Sequence, residues 1–157
     1  MYKAGKLGGV ITQNVDELHD RSGVTGEAVV NRHGTALLTA CLDCEYEVSS
    51  RDRYETHDLE GGVPLCPACG GLLKPATISF GQNLEKKDIA RAEKLAVECD
   101  LLLVFGSTLV VHPAATIPMI AKRAGAKVAI VTLSETPFDS EADLVINEPI
   151  AKVVAGL

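Results

Sequence analysis

Four short apolar runs are distributed along the chain, and their pattern predicts buried strands. They cover residues 7–13, 101–105, 127–133 and 143–146. Leucine and β-branched residues follow one another in them without polar alternation, which is typical of parallel strands covered on both faces.

Two segments between these runs have the features of helices. In residues 84–99 the apolar side chains recur at helical spacing on one face. Residues 113–124 begin with proline, which suits the first position of a helix, and stop at Gly125, a natural residue just after a helix end. We expect Pro118 to kink this second helix. The alternation of strands and helices predicts an α/β fold with a right-handed, open parallel sheet.

Two Cys-x-x-Cys pairs, Cys41 with Cys44 and Cys66 with Cys69, predict a tetrahedral zinc site. Four thiolates fill the coordination sphere of the ion, so the metal would be structural. The 21 residues between Cys44 and Cys66 exceed the usual spacing of about 15 to 20, which predicts an added hairpin or short helix. The alternative is a pair of disulfide bonds, which the reducing interior of a cell disfavours.

Charge and composition narrow the class of partner. The 157 residues include 46% apolar and 23% charged residues, which is ordinary for a globular protein, and the net charge is −6. Residues 42–65 carry seven acidic residues against two arginines, whereas a zinc module that binds nucleic acid presents a basic face. We therefore expect protein partners and no nucleic acid.

The apolar runs are too short for either a membrane span of roughly 20 residues or a signal peptide. We therefore expect no membrane partner and a cytoplasmic location.

The residues directly after the predicted strands are small or polar. They are Gln13, Asn14 and Asp16 after the first strand, Gly106, Ser107 and Thr108 after the second, and Thr132 and Ser134 after the third. Open parallel sheets bind ligands at the carboxyl ends of their strands, and hydroxyls, amides and glycines suit the ribose and phosphates of a nucleotide. The sequence thus predicts a nucleotide site, although residues 106–108 alone are equally typical of a strand-to-loop turn.

His33 lies in an Asn-Arg-His-Gly context between the first predicted strand and the cysteines. Imidazole gains and loses a proton near neutral pH, so this side chain is a candidate general base. A structural or surface histidine is the alternative, and its position alone leaves both open.

These motifs resemble, in content and order, those of the sirtuins, which are NAD-dependent protein deacylases. The segment TQNVD at residues 12–16, followed by Leu18 and His19, resembles the family's TQNxD…LH signature, and His33 with Gly34 resembles its catalytic histidine motif. The four cysteines, residues 74–81 (KPATISFG) and residues 106–109 (GSTL) complete a resemblance that covers nearly the whole chain.

The resemblance implies a Rossmann-like NAD-binding domain over residues 1–36 and 74–157, with a zinc-binding module at 37–73. It also implies a reaction. The carbonyl oxygen of an acyl-lysine protein or peptide attacks the nicotinamide ribose of NAD, nicotinamide leaves, and the acyl group ends on ADP-ribose as free lysine is released. NAD would be the co-substrate and zinc a structural metal.

The same resemblance assigns roles to residues. His33 would be the general base, Asn14 with Gln13 would hold the ribose and an ordered water, and Asp16 would accept a hydrogen bond from the nicotinamide amide. Cofactor contacts would come from Gln13, Asn14, Asp16, Gly106, Ser107, Thr108, Thr132 and Ser134. The substrate backbone would pair with Ile78, Ser79, Phe80 and Gly81 by strand addition.

The sequence also departs from the family pattern. It lacks the glycine-rich turn with which sirtuins begin, so we expect a sheet that is incomplete in its N-terminal part. Three explanations of an incomplete sheet are open: the chain self-associates, a partner chain completes the sheet, or the sequence is a fragment. Gln82 stands where many members carry glutamate, and Thr132 where asparagine is usual. The competing hypothesis for function is a truncated, catalytically weak zinc module that binds acyl-lysine peptides or a partner protein.

Overall fold

The computed structural model describes residues 1–31, 33–56, 62–79, 81, 82, 84 and 86–156. The chain divides into two compact units. The amino-terminal unit comprises chiefly Gly9–Asp88, and the carboxyl-terminal unit comprises Ile89–Leu157 together with Lys3–Gly8. Within the described ranges, every helix is too short or too polar to cross a bilayer.

The first sheet of the amino-terminal unit has two short parallel strands. Strand β1 (Val10–Thr12) pairs with β2 (Val29–Asn31), and helix α1 (Leu18–Arg21) lies between them along the chain. Val30 is fully buried and Thr12 is nearly so, because these strands form the interior of this part of the unit. The predicted first strand therefore exists, but it is shorter than residues 7–13.

The second sheet of this unit is antiparallel and has three strands. Its order is β4-β3-β5, where β3 is Gly34–Cys41, β4 is Glu47–Ser49 and β5 is Leu73–Thr77. Helix α2 (Ser50–Thr56) follows β4, and the hydroxyl of its first residue lies 3.0 Å from the buried hydroxyl of Thr39 on β3. The long cysteine spacing predicted an added hairpin or short helix, and the segment between Cys44 and Cys66 contains β4, which forms a hairpin with β3, and helix α2.

The carboxyl-terminal unit contains a parallel sheet, as predicted. Strands β6 (Leu101–Phe105), β7 (Lys127–Val131) and β8 (Leu144–Ile146) lie in that order, with helices α3 (Lys86–Glu98), α4 (Ile117–Arg123) and α5 (Ile150–Val154) along the chain. The central strand β7 is the most buried, and Val128 and Ile130 on it are wholly inaccessible. They form a core with Leu109 and Phe138. The Rossmann-like α/β fold is thus confirmed.

The observed pairing of the strands differs from the predicted pairing. We expected the first apolar run to share a sheet with the three later runs, but β1 pairs with β2 in a sheet of its own. The reason is that residues 29–31, which carry too short an apolar pattern to stand out, supply a parallel partner for β1.

The expected kink at Pro118 is wrong. Residues Ala114–Thr116 form a 3-10 turn, and α4 begins at Ile117, so Pro118 lies in the first helical turn. A backbone N–H in that turn has no helical acceptor, and proline is tolerated there without bending the helix. The end of α4 is as predicted, since Gly125 adopts φ +98° after it.

Asp143, just before β8, forms hydrogen bonds with residues of α4 and β7. Its Oδ2 accepts hydrogen bonds from Lys122 Nζ of α4 at 2.6 Å and from the Val128 N–H at 2.9 Å, and its Oδ1 accepts from Lys127 Nζ at 3.0 Å. The hydrogen bond from Lys122, followed by those from Val128 and Lys127, holds the pKa of Asp143 well below its usual value of 3.8. The carboxylate form therefore stabilises the unit.

Candidate functional site

The parallel pairing of β1 and β2 brings two predicted site segments to one sheet edge. Thr12 is the partner of Asn31 in the register, and each is the last residue of its strand. Because the strands are parallel, Gln13 and Asn14 leave the sheet at the same edge as the segment that leads to His33.

The loop that follows β1 is held against the segment after His33. The Ala36 N–H donates to the Val15 carbonyl at 3.0 Å, and the Thr35 hydroxyl donates to the Glu17 carboxylate. Glu17 adopts the left-handed region at φ +52°, a conformation that non-glycine residues rarely take and that is concentrated at functional sites. These contacts fix the course of the loop that carries Asn14 and Asp16.

Within this loop the predicted polar residues have definite partners. The Asn14 N–H donates to the buried Thr12 hydroxyl at 3.1 Å, and Asp16 Oδ1 accepts from the Leu18 N–H at 3.1 Å, where α1 begins. The side chains of Asn14 and Asp16 are exposed, and that of His33 is half-buried. Among the residues that the structure describes, none donates to the second carboxylate oxygen of Asp16, which can accept from a further donor.

The segment predicted to contact the substrate backbone, residues 78–81, begins beside His33. The Ile78 N–H donates to the His33 carbonyl at 2.9 Å, which continues the pairing of β5 with β3 past Thr77. Gly34 makes this approach feasible, because its φ is +75° and a Cβ there would lie 2.2 Å from the Ala76 carbonyl oxygen. Alanine or any larger residue would push the two strands apart.

Beyond Ile78 the chain turns. The Ser79 N–H donates to Gln82 Oε1 at 2.8 Å, and the Gln82 N–H donates to the Ser79 carbonyl at 3.0 Å. A glutamate at position 82 would accept the same bond from Ser79, so this departure from the family pattern preserves the contact. Gly81 lies within this turn, and Phe80, also predicted to contact substrate, lies outside the described residues.

The other predicted cofactor residues lie at the carboxyl ends of the sheet in the carboxyl-terminal unit. Phe105 pairs with Val131 and Val131 with Ile146, so the three strands end level with one another. Gly106, at φ +62°, donates its N–H to the Val131 carbonyl at 2.9 Å, and Ser107 Oγ accepts from the Leu109 N–H at 3.2 Å. Thr108 follows in the same turn, Thr132 is buried and Ser134 is exposed.

Asn147 also lies at a strand end, although it is not among the residues predicted from the sequence. Its Nδ2 donates to the carbonyls of Thr132 at 3.3 Å and Ser134 at 3.4 Å, so it holds the loop after β7. The signal was present, because Asn147 directly follows the fourth apolar run as a polar residue.

The four cysteines predicted to bind metal converge at the far end of the antiparallel sheet. The sulfur of Cys41 lies 3.5 Å from that of Cys69, and the sulfur of Cys44 lies 3.7 Å from that of Cys66. All four sulfurs lie within 4.8 Å of one another. Disulfide bonds require about 2.05 Å, whereas Zn–S bonds of about 2.3 Å give a tetrahedron with edges of about 3.8 Å. The residues therefore fit zinc.

Backbone N–H groups around the cluster favour thiolates. The Asp43 N–H points at Cys41 Sγ from 3.3 Å, and the Gly71 N–H points at Cys69 Sγ from 3.4 Å. Such donors to the sulfurs are the outer contacts that orient the ligands of a metal site.

The thiols compete for protons in the way expected of crowded metal ligands. Burial acts to raise the pKa of Cys66, but the N–H groups of Ala68 and Cys69 and the neighbouring thiols outweigh it and lower the pKa to about 7. For Cys69 the Gly71 N–H favours the thiolate, yet the neighbouring thiols outweigh this and raise the pKa to about 12. A divalent cation is what allows all four to be thiolates together.

The cluster is remote from His33 along the sheet. Strand β3 begins at Gly34, next to His33, and ends at Cys41, and its seven steps of about 3.3 Å separate the two ends by on the order of 20 Å. A metal there holds the turns of the module and stays away from any chemistry at His33.

The chain matches known proteins over nearly all of its length. The model of the Sir2 family matches residues 1–113. NAD-dependent protein deacetylase 1 of Bradyrhizobium diazoefficiens is 42% identical over 156 residues, which are 98% of this chain and 60% of that protein. The NAD-dependent protein deacetylase of Thermotoga maritima is 39% identical over 155 residues, 97% of this chain and 61% of that protein. The chain thus spans about three fifths of the length of these relatives.

Solved structures agree with the sequence matches. A Sir2 structure with a p53 peptide and NAD+ has a TM-score of 0.92 and 38% identity, and the match covers 99% of this chain and 63% of that one. Sir2Tm bound to a propionylated peptide gives the same TM-score and identity, with coverage of 99% and 64%.

Proposed function

Because this chain belongs to the Sir2 family, we propose that it carries out NAD-dependent protein lysine deacylation and yields nicotinamide, O-acyl-ADP-ribose and free lysine. The observation that carries the proposal is the shared sheet edge at which the loop after β1 and the segment of His33 emerge. The relatives are named NAD-dependent protein deacetylases; one solved neighbour holds a p53 peptide and NAD+, and another holds a propionylated peptide.

The proposed reaction has two stages. The acyl carbonyl oxygen bonds to the anomeric carbon of the nicotinamide ribose, and the bond to nicotinamide breaks. A ribose hydroxyl, deprotonated by His33, then bonds to the acyl carbon, and a water oxygen replaces the lysine nitrogen there. The bond from the acyl carbon to the oxygen on the anomeric carbon breaks, so the anomeric carbon keeps a hydroxyl. The acyl group remains on ADP-ribose, and the lysine amine leaves with a proton. General-base assistance of this kind contributes about 10²- to 10⁴-fold in rate.

The loop after β1 supplies the binding groups for the reacting end of NAD. Asn14 and Gln13 hold the ribose and the water, and Asp16 accepts a hydrogen bond from the nicotinamide amide through the carboxylate oxygen that Leu18 does not use. The contacts from Ala36 to Val15 and from Thr35 to Glu17 support this proposal, because they hold the loop in place before the cofactor arrives.

The remaining proposed contacts follow the strand ends. Gly106, Ser107, Thr108, Thr132 and Ser134 contact the adenosine side of NAD, with Asn147 holding the loop after β7. Ile78, Ser79, Phe80 and Gly81 contact the backbone of the acyl-lysine peptide. The Ile78 N–H is already bonded to His33, which places the proposed peptide segment directly beside the proposed base.

Two wider assignments are also proposals. The first is the division into an NAD-binding domain (1–36 and 74–157) and a zinc-binding module (37–73). Limited proteolysis with and without zinc tests it, because cleavage confined to 37–73 on metal removal is the expected result and uniform cleavage would contradict it.

The second is a cytoplasmic location, since four thiols stay available for zinc in a reducing compartment. Cell fractionation tests it.

Nicotinamide release from NAD in the presence of an acetyl-lysine peptide tests the function. We expect His33→Ala to lower the rate by about 10²- to 10⁴-fold. His112→Ala is the matched control, because this histidine is exposed and outside the proposed site, and its rate should be unchanged. Turnover no higher in the wild type than in His33→Ala would sink the proposal. Peptide binding that is indifferent to NAD would instead favour a non-catalytic peptide-binding module.

A further inference from the structure

One face of the antiparallel sheet carries a groove whose lining, apart from Ile78 and the metal ligand Cys41, has no role in the proposed function. The groove has a volume of about 330 Å³, and its lining includes Ala40, Leu42, Glu47, Lys74, Ala76 and Ile78. All of these residues belong to the amino-terminal unit. We refer to it below as the sheet groove.

The register of the strands explains why the groove exists. Ala40 on β3 is the partner of Glu47 on β4 and of Lys74 on β5, and cross-strand partners project from the same face. A small residue therefore lies between two long charged ones, whose Cα atoms are two strand spacings, or about 10 Å, apart. Ala40 is the floor of the groove, and Glu47 and Lys74 stand on its two sides.

Lys74 and Glu47 differ in their hydrogen-bond partners. Lys74 Nζ donates to the carbonyls of Thr77 and of Pro75, the latter at 3.3 Å, so its ammonium is directed along β5. Glu47 is exposed, and its carboxylate has no hydrogen-bond or ion-pair partner among the residues that the structure describes. The Lys74 ammonium is thus held by backbone carbonyls, and the Glu47 carboxylate is the charged group of the lining left for an incoming cation, in a segment, 42–65, with seven acidic residues against two arginines.

The groove is continuous with the proposed peptide segment. Ile78 lies at one end of the lining and is bonded through its N–H to the His33 carbonyl. From Ile78 back to Lys74 is four steps along β5, or about 13 Å at 3.3 Å per residue. An extended peptide covers that distance in about four residues.

From these observations we propose that the sheet groove selects protein substrates that carry an arginine or lysine about four residues from the acyl-lysine. The basic side chain lays its aliphatic stem over Ala40, Leu42 and Ala76 and pairs its charged head with Glu47. Glu47 is thus a specificity-determining residue. This inference rests on the proposed deacylase function and names the class of substrate for it.

Binding of acetyl-lysine peptides to the zinc-loaded chain tests the inference. Peptides of equal length carry arginine, alanine or glutamate at three, four or five residues on either side of the acetyl-lysine. Their dissociation constants are measured by fluorescence anisotropy, and the KM for nicotinamide release is measured in parallel. At one of these positions arginine should bind about two- to fivefold tighter than alanine, as an exposed ion pair allows, and glutamate should bind more weakly.

Protein variants assign the preference to one carboxylate. Glu47→Lys should reverse the order so that the glutamate peptide binds best, and Glu47→Gln should abolish the difference between arginine and alanine. Glu45→Lys is the matched control, since it makes the same charge change at an exposed position outside the lining and should leave the preference intact. Zinc content shows that each variant retains its module.

The outcomes separate the two proposals. Equal binding of arginine and alanine peptides at every position, an arginine preference that survives Glu47→Lys, or no peptide binding at all would overturn the groove inference. An arginine preference without nicotinamide release would overturn the deacylase proposal and leave the groove as a peptide-binding site.

Discussion

Replacement of Gly34 by alanine tests the close approach of β3 and β5 beside His33. Gly34 has φ +75°, and a Cβ there would lie 2.2 Å from the Ala76 carbonyl oxygen and 3.1 Å from the Thr77 Cα. Both neighbours are backbone atoms, so no side-chain rotation relieves the contact. The strands must separate at the point where Ile78 bonds to His33.

Two contributions set the size of the effect. Holding an alanine in the left-handed region costs roughly 1–2 kcal/mol. Forcing extra atoms into a packed region costs typically about 1–3 kcal/mol. We therefore expect Gly34→Ala to lower the free energy of unfolding of the amino-terminal unit by about 2–5 kcal/mol.

Gly26→Ala is the matched control, because Gly26 also has a positive φ, +60°, but its Cβ would meet no atom of the described residues within 4 Å. Gly26→Ala should lower the free energy of unfolding only by the cost of the left-handed backbone conformation, about 1–2 kcal/mol. The reduced entropy of the unfolded chain is common to both variants and cancels. Urea unfolding followed by far-UV circular dichroism measures both. Equal losses in the two variants would show that β3 and β5 do not approach as described.

Two further predictions concern the metal site and the carboxyl-terminal unit. Cys66→Ser should reduce bound zinc below one per chain and lower the melting temperature, since the metal holds both cysteine turns. Atomic absorption measures the zinc. Full zinc content with an unchanged melting temperature would contradict the assignment of the metal site. Asp143→Asn should lower the melting temperature at pH 7. Because Lys122, Val128 and Lys127 depress the pKa of Asp143, its stabilisation is present above the unfolded-state value of 3.8 and is lost as pH falls below it. The deficit of the variant should therefore shrink as pH falls below about 4, and a deficit independent of pH would exclude this role.

The parts of the fold that the sequence predicted well are those that local chemistry determines. Strand β6 occupies the predicted residues because a strand of a parallel sheet is a continuous apolar run, here bounded by Asp100 and Gly106. The predicted burial on both faces is wrong for β6, whose Leu101 and Phe105 are exposed. The cysteine cluster followed from spacing alone, since two residues between thiols suffice to turn the chain around one ion.

The parts that were missed depend on tertiary context. Strand β2 contains only two apolar residues, Val29 and Val30, and becomes a strand because β1 lies beside it. The position of Pro118 in α4 was misjudged because the helix begins after a 3-10 turn, which the proline at residue 113 gave no means of foreseeing. The sheet groove depends on which residues pair across three strands. The sequence of a single strand does not determine its register with its neighbours.

The product balance of a single reaction tests the central claim most directly. The chain is incubated with NAD and an acetyl-lysine peptide, and nicotinamide, free-lysine peptide and acyl-ADP-ribose are quantified by mass spectrometry. We expect equal amounts of the three products, all lost together in His33→Ala. Free-lysine peptide accompanied by acetate, with no nicotinamide and no acyl-ADP-ribose, would contradict it.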